Sequence, residues 1–400
     1  MNRPLRLLVL VAGDPATDRP FSGSARNLVR ALAARGVVHA ALNAATWWAD
    51  PWVSPGLLLS LAEREPARLL SRLRLSGLAH GACSRRADRL ARANPGFEAC
   101  LLYGTTFFPH ELRVPVYCYF DATVAQNAGA AAYAMAWLPG RSLTALRERQ
   151  HQVFERCAGL FPRSAWAAST LDVDYGVPSW KVVVAGAGWN HDLEPPPHAP
   201  YDARRVLFVG RDFARKGGPV LVEAFRRVRE ALPDARLVVA GCRPPGLHLE
   251  PGVEVVGTIS KDAPGGLPRL LELYREASVF CLLSRYEPFG VAVLEAMRSE
   301  VPCLVPDRFA FPEVVLDGLT GRTVHSTDPR KLAAVLIEML SDPAGLARMG
   351  SFAREHVLAN WSWAHAAARI CRRIEEDLER GGPLLSPGAL AGAPGRGYLR

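Results

Sequence analysis

Four hundred residues, 49% hydrophobic and 22% charged, are of ordinary globular composition and too many for one simple core, so two domains are expected. The net charge of +9 is uneven: residues 1–186 hold 21 Lys and Arg against 13 Asp and Glu, and the rest hold 27 against 26. No apolar run approaches the ~20 residues of a bilayer span. The eight cysteines form no CxxC pair or metal-spaced cluster, and they read as small buried residues in a reducing, cytoplasmic setting.

The first apolar run, LRLLVLVAG (5–13), is short and a Gly-Asp turn follows it, so it reads as a strand and not a signal peptide. In RPFSGSARNL (19–28), Ser22 and Gly23 let backbone approach a ligand, and Ser22 or Ser24 can cap the next helix. That helix carries Leu28, Leu32 and Ala33 on one face and ends at Gly36. VHAALNA, ACLLYG, VPVYCYFD and KVVVAG are further strands. ATWWADPWV (45–53) sets three tryptophans in a loop able to stack on a sugar, enter a membrane interface or pack inward. Arginines 64, 68, 72, 74, 85, 86, 89 and 92 alternate with leucines and few acids. They form either a basic amphipathic surface for anionic lipid or a solvated helix face. No aromatic RNA motif or helix-turn-helix pattern suggests nucleic acid. Asp121 ends a strand as a turn residue or a polar group facing a ligand. Asp172 and Asp174 form a D-x-D at the end of a short helix, a pattern too brief to assign a metal.

Residues 190–205 are rich in proline and charge and lack periodicity, as a hinge would. RRVLFVGR, ARLVVAG, VEVVGT, SVFCLLS and PCLVP then alternate with helices, which implies a second doubly wound parallel sheet. Arg211 and Lys216 follow the first of these strands before Gly217 and Gly218, and both can face a cleft and neutralise a diphosphate. In YEPFGVAVLEAM (286–297), Glu287 precedes a Pro-Phe-Gly break and Glu295 lies eight residues on. Helix amides near Gly290 and Val291 suit an anion. Glu295, at i+4 from Val291, can accept from a ribose diol, and Glu287 can reach the group beyond the diphosphate. The last residues, 381–400, read as disordered.

FVGRDFARKGG, RYEPFGVAVLEAM with its E-x7-E spacing, FPEVVLDGLTGRTV and FPRSAWAASTLDVDYGVPSWKVVVAGAGWN together resemble the retaining glycosyltransferases of family 4. The resemblance is close over 181–373 and only in outline before 160. It implies the GT-B fold, an α/β arrangement of two Rossmann-like domains facing a cleft. The expected divisions are an acceptor domain at 1–186 completed by a helix at 361–380, a linker at 187–203, and a donor domain at 204–360. The resemblance assigns Arg211, Lys216, Phe289, Gly290, Val291, Ser22 and Gly23 to donor binding, Glu295 to the ribose, and Glu287 to the sugar and its oxocarbenium ion. No metal or other cofactor is implied. Asp121 stands where many relatives have a histidine, so its catalytic part is not simply inherited. The expected activity is transfer of a hexosyl group, with retention, from a nucleotide-diphosphate sugar to a sugar or lipid-linked acceptor, in the cytoplasm or on the inner membrane face. Open alternatives are a nucleotide-sugar epimerase, a disaccharide phosphorylase, and a non-catalytic nucleotide-sugar-binding or membrane-docking protein.

Overall fold

The apolar runs pair in register, side by side and in one direction. The computed structural model describes residues 4–17, 20–46, 75–129, 135 and 138–381. One sheet takes β1 (Leu7–Val11), β2 (Val38–Asn43), β3 (Ala99–Tyr103), β4 (Val116–Phe120) and β5 (Gly159–Pro162), in the order β2-β1-β3-β4-β5. The other takes β6 (Arg205–Val209), β7 (Arg236–Ala240), β8 (Val253–Gly257), β9 (Val279–Cys281), β10 (Cys303–Pro306) and β11 (Gly321–Val324), in the order β11-β10-β9-β6-β7-β8. All these pairings are parallel. Helices cover both faces of a parallel sheet, which is why β1, β3 and β4 are apolar and buried at every position.

The covering helices of the first half are α1 (Ser24–Ala34), α2 (Gly77–Ala93), α3 (Val124–Ala128), α4 (Gly140–Arg156), α5 (Ala165–Ala168) and α6 (Leu171–Tyr175). Those of the second are α7 (Gly218–Ala231), α8 (Gly266–Arg275), α9 (Val291–Arg298), α10 (Phe311–Val314), α11 (Pro329–Leu340) and α12 (Pro343–Asn360). A last helix, α13 (Trp363–Glu379), returns to the first sheet, where Tyr117 Oη of β4 donates to Asp377 at 3.0 Å. Asp377 is held in turn by Arg373 at 2.9 Å.

One predicted strand is not formed. KVVVAG meets β5 through a single bridge, Val182 to Leu160, after a 3-10 turn at Ser179–Lys181. Val183 and Ala185 still donate to Leu160 and Pro162, but Gly186 takes a positive φ and the chain leaves the sheet. The neighbouring strand is β5 itself, whose short run GLFP is not among the strands read from the sequence.

Strand order reverses between β6 and β9 in the second sheet and between β1 and β3 in the first. Loops leaving the strands at a reversal diverge and open a crevice at the carboxyl ends. The loops at these two points are 210–217 with 282–290, and 12–17 and 20–23 with the turn at Gly104. They contain most of the residues singled out above.

The two halves touch directly. Glu313 of α10 accepts from the amides of Ala165 and Trp166 at 2.7 Å each. Tyr286 Oη donates to Asn127 Oδ1 at 2.7 Å, and Trp166, Tyr286 and Phe309 pack edge to face at 5.4–6.1 Å. Arg26 of α1 pairs with Asp262 at 3.2 Å.

Candidate functional site

The loop after β6 turns tightly because Asp212 accepts from the amides of Arg215 (Oδ1, 3.0 Å) and Lys216 (backbone O, 3.0 Å). The turn sends two cations toward the loop after β9, to which it is joined by Arg285 N on Arg215 O at 2.8 Å. There Lys216 Nζ lies 2.8 Å and Arg215 Nη1 3.5 Å from the same Oε2 of Glu287. Arg215 also donates to Tyr286 O at 2.7 Å. The three side chains are only 14–19% exposed. Burial alone would push the Glu287 carboxyl up, but Lys216 and Arg215 outweigh it and hold it below the usual glutamate range.

Beyond Pro288 the chain enters α9. Gly290, at φ +83°, is its N-cap, and no side chain caps the helix. Val293 N donates back to Gly290 O at 2.9 Å, so the amides of Val291 and Ala292 are the ones left without an internal or side-chain acceptor at the loop where Glu287 sits. A Cβ on Gly290 would come within 2.6 Å of the Phe311 ring, so this approach needs glycine. Phe289 turns inward, 2% exposed and 5.5 Å from Trp361, so only its backbone is available to a ligand.

One turn further on, Glu295 is 3% exposed. Its Oε1 accepts from Lys261 Nζ and from Asn190 N (3.2 Å), while Tyr274 Oη approaches Oε2 at 3.5 Å. Burial pushes this carboxyl up, and Lys261 and His191 more than offset it, so Glu295 too is held below the usual range. Oε2 is the oxygen with spare acceptor capacity.

Asn190 joins this carboxylate to the first sheet. Its Nδ2 donates to Ser22 O (2.8 Å) and Ser24 Oγ (3.1 Å), and its Oδ1 accepts from Trp363 Nε1 (3.1 Å) and Asn27 (3.4 Å). The segment it holds has left-handed backbone at Phe21, Ser22 and Gly23, with φ of 53°, 54° and 87°. Such geometry costs about 1–3 kcal/mol per non-glycine residue and persists only where neighbours enforce it. Ser22 and Gly23 thus sit at the first sheet's reversal, joined through Asn190 to Glu295.

Asp121 ends β4 with its side chain 39% exposed, 3.8 Å from the buried guanidinium of Arg163. Arg163 lies over the rings of Tyr103 and Tyr119 and donates to Tyr103 Oη. The helix cap after Asp121 is supplied by Thr123, in a reciprocal pair with Gln126. Arg211 is not drawn into the Glu287 cluster. It is exposed and lines a separate open cavity of about 470 Å3 with Phe213, Cys242, Arg243 and Thr258, beyond the ends of β6, β7 and β8. Asp174 is taken by Arg147 at 2.7 Å. Among the described residues no group of three or more His, Cys, Asp or Glu could hold a metal, and no helix is long and apolar enough to cross a membrane.

Of the basic stretch, arginines 64, 68, 72 and 74 lie outside the described residues, as do Trp47, Trp48, Trp52 and the tail from 382. In α2, Cys83, Ala87 and Ala91 are buried, Arg85 and Arg89 are exposed, and Arg92 pairs with Glu111. Sequence reasoning missed Arg215, Asn190 and Lys261 as members of the cluster. The chain has four lysines, at 181, 216, 261 and 331, and that scarcity was a usable signal for Lys261. Nothing distinguished Asn190 from an ordinary linker residue.

Residues 190–356 match the family described as glycosyl transferases group 1. The matched segment contains Lys216, Lys261, Glu287, Gly290 and Glu295, with Asn190 as its first residue. The chain is 30% identical over 252 residues to D-inositol 3-phosphate glycosyltransferase of Thermobispora bispora, covering 58% of this chain and 59% of that one. It is also 30% identical over 239 residues to MMP alpha-(1->4)-mannosyltransferase of Mycolicibacterium hassiacum, covering 58% and 57%. It therefore spans less than two thirds of the length of these relatives. In structure it is similar to sucrose-phosphate synthase from Thermosynechococcus elongatus, with a TM-score of 0.71 at 19% identity over 94% of this chain and all of that one. Anabaena HepE in complex with UDP and glucose gives 0.61 at 13% identity over 93% and 100%. The fold shared with these structures is GT-B.

Proposed function

We propose that the protein is a retaining glycosyltransferase that moves a hexosyl group from a nucleotide-diphosphate sugar to an acceptor hydroxyl. The observation that carries this reading is the pair of carboxylates flanking the open start of α9, each matched to its own lysine at the second sheet's reversal. Lys216 and the amides of Val291 and Ala292 are placed to receive a diphosphate. As the bond from sugar to phosphate breaks, charge grows on the leaving oxygen. Fixed cations and amides stabilise that charge, and one such donor is worth about 3 kcal/mol of barrier. Glu295 Oε2 suits a ribose hydroxyl. Glu287 is the carboxylate nearest the sugar end, where it offsets positive charge developing at the anomeric carbon. The cavity of Arg211 and Thr258 suits the base. Asp121, exposed at the end of β4, faces the acceptor side, and the cations of Lys216 and Arg215 do the work a metal does elsewhere. The likeness to group 1 glycosyl transferases and to a structure holding UDP and glucose supports this reading. The acceptor is a sugar or a lipid-linked molecule handled in the cytoplasm or at its membrane face, with Arg85 and Arg89 on the outward side of α2.

The test is thermal unfolding with UDP, GDP, ADP and their sugars, because a ligand that binds only the native state raises the midpoint. One nucleotide series should raise it. Transfer from that donor to an acceptor panel should preserve the anomeric configuration by NMR and persist in EDTA. Failure of every nucleotide to shift the midpoint overturns the reading, and abolition of transfer by EDTA overturns its metal-free form.

A further inference from the structure

We propose that Arg215 is the second cation of the diphosphate site and that Glu287 competes with the diphosphate for Arg215 and Lys216. This rests on the reading above that a nucleoside diphosphate binds at the β6/β9 reversal. Two cations converge on one carboxylate oxygen, at 2.8 and 3.5 Å, while Asp212 pairs with Arg215 from the exposed side, so the charges balance and the buried contact is the convergence on Glu287. At 14–19% exposure, water screens it weakly. Arg215 is aimed by two further acceptors, Tyr286 O at 2.7 Å and Asp212 Oδ2 at 3.3 Å, which hold the guanidinium in place independently of Glu287. Arg211 has no such anchoring: among the described residues it forms no ion pair, and it lines the cavity of Thr258.

A phosphate oxygen asks for the same donors as a carboxylate oxygen, namely an ammonium and a guanidinium edge. Lys216 and Arg215 have further N–H groups, but a diphosphate seated between the two cations competes with Glu287 for the pair aimed at Oε2. Part of the binding energy goes into separating that pair, and the carboxylate released is a free charge beside whatever the diphosphate carries. Glu287 thus opposes tight binding of the nucleoside diphosphate while serving the transfer step.

The sign of this effect is measurable by titration calorimetry on the full chain. The ligands are UDP, GDP, ADP and the matching nucleosides, and the proteins are wild type, Glu287→Gln, Arg215→Met and Lys216→Met. Glu287→Gln should bind the preferred diphosphate about fivefold tighter, leave nucleoside affinity unchanged and lose most transfer activity. Arg215→Met and Lys216→Met should each bind the diphosphate about tenfold more weakly, with nucleoside affinity unchanged. Unchanged or weaker diphosphate binding by Glu287→Gln overturns the competition, even where Lys216→Met confirms a diphosphate contact. Wild-type affinity in Arg215→Met removes Arg215 from the site. If no diphosphate binds the wild type, the underlying functional reading fails. Glu287→Met serves as the second charge-removing variant should the glutamine form not fold cooperatively.

Discussion

Glu295 carries its charge at 3% exposure because Lys261 neutralises it and Asn190 and Tyr274 complete its hydrogen bonds. Removing one partner of a fully buried pair costs about 3–5 kcal/mol. Lys261 keeps 23% of its side chain exposed, so water compensates in part. Lys261→Met should lose about 2 kcal/mol in urea unfolding, and a loss below about 0.5 kcal/mol would show that the pair is not holding the carboxylate. Acid should act on the same bond. The folded pKa values of Glu287 and Glu295 both lie below the ordinary 4.5. As pH falls, the unfolded chain takes up these protons first, which favours unfolding. The stabilisation from the two pairs is therefore complete above pH 4.5 and is lost as pH falls below it toward the folded values. Urea unfolding between pH 7 and 3.5 should show this fall, and the double variant Glu287→Gln, Glu295→Gln should flatten it. An equally steep loss in the double variant would place the acid sensitivity elsewhere.

At the scale of elements, α9 begins where it does because a glycine permits it. Gly290→Ala meets both a positive φ and the Phe311 ring at 2.6 Å. Gly36→Ala, at φ +73°, meets nothing within 4 Å. The second should cost about 1 kcal/mol and the first at least about 2–3 kcal/mol, so the gap reports crowding at the mouth of the site. Equal losses in urea unfolding would mean that Phe311 yields freely. Most of these elements were legible in the sequence: β6 to β10 read as apolar runs cut by Gly and Pro, and β1 as a run of five apolar residues, whereas β11, the polar run GRTV, was not. KVVVAG misled because an apolar β-branched run also marks an extended chain that lies along a sheet edge: 182–185 bonds to β5 on one side, lacks ladder bonds on the other and leaves Val184 exposed. In the site, Glu287, Glu295 and the start of α9 were legible because they lie within one loop–helix unit whose spacing fixes geometry, and Lys216 because it follows a strand just before two glycines. Asn190 and Arg215 were not. One acts by bridging segments more than a hundred residues apart, and the other differs from its neighbour Arg211 only in which way a turn points it.

For the whole molecule, the cleft is spanned by a few polar contacts and one aromatic cluster. Glu313 caps two amides of the opposite half, and Tyr286 bonds Asn127. Both changes keep the side-chain packing and remove only polar contacts, so Glu313→Gln combined with Tyr286→Phe should leave urea stability within about 1–2 kcal/mol of wild type. The pair of changes should raise the radius of gyration in solution scattering, because the halves lose what holds them together on that side. Unchanged scattering would mean that Asn190 and α13 suffice to set the angle.

The bond from Tyr117 to Asp377 has a consequence for how the protein is made. The partners lie 260 positions apart, and the helix bearing the aspartate is the last one described. During synthesis the first sheet must wait, with this phenol and the surface under α13 still uncovered, while the intervening sequence is translated. The early half therefore gains its final coat only once 363–379 have been made.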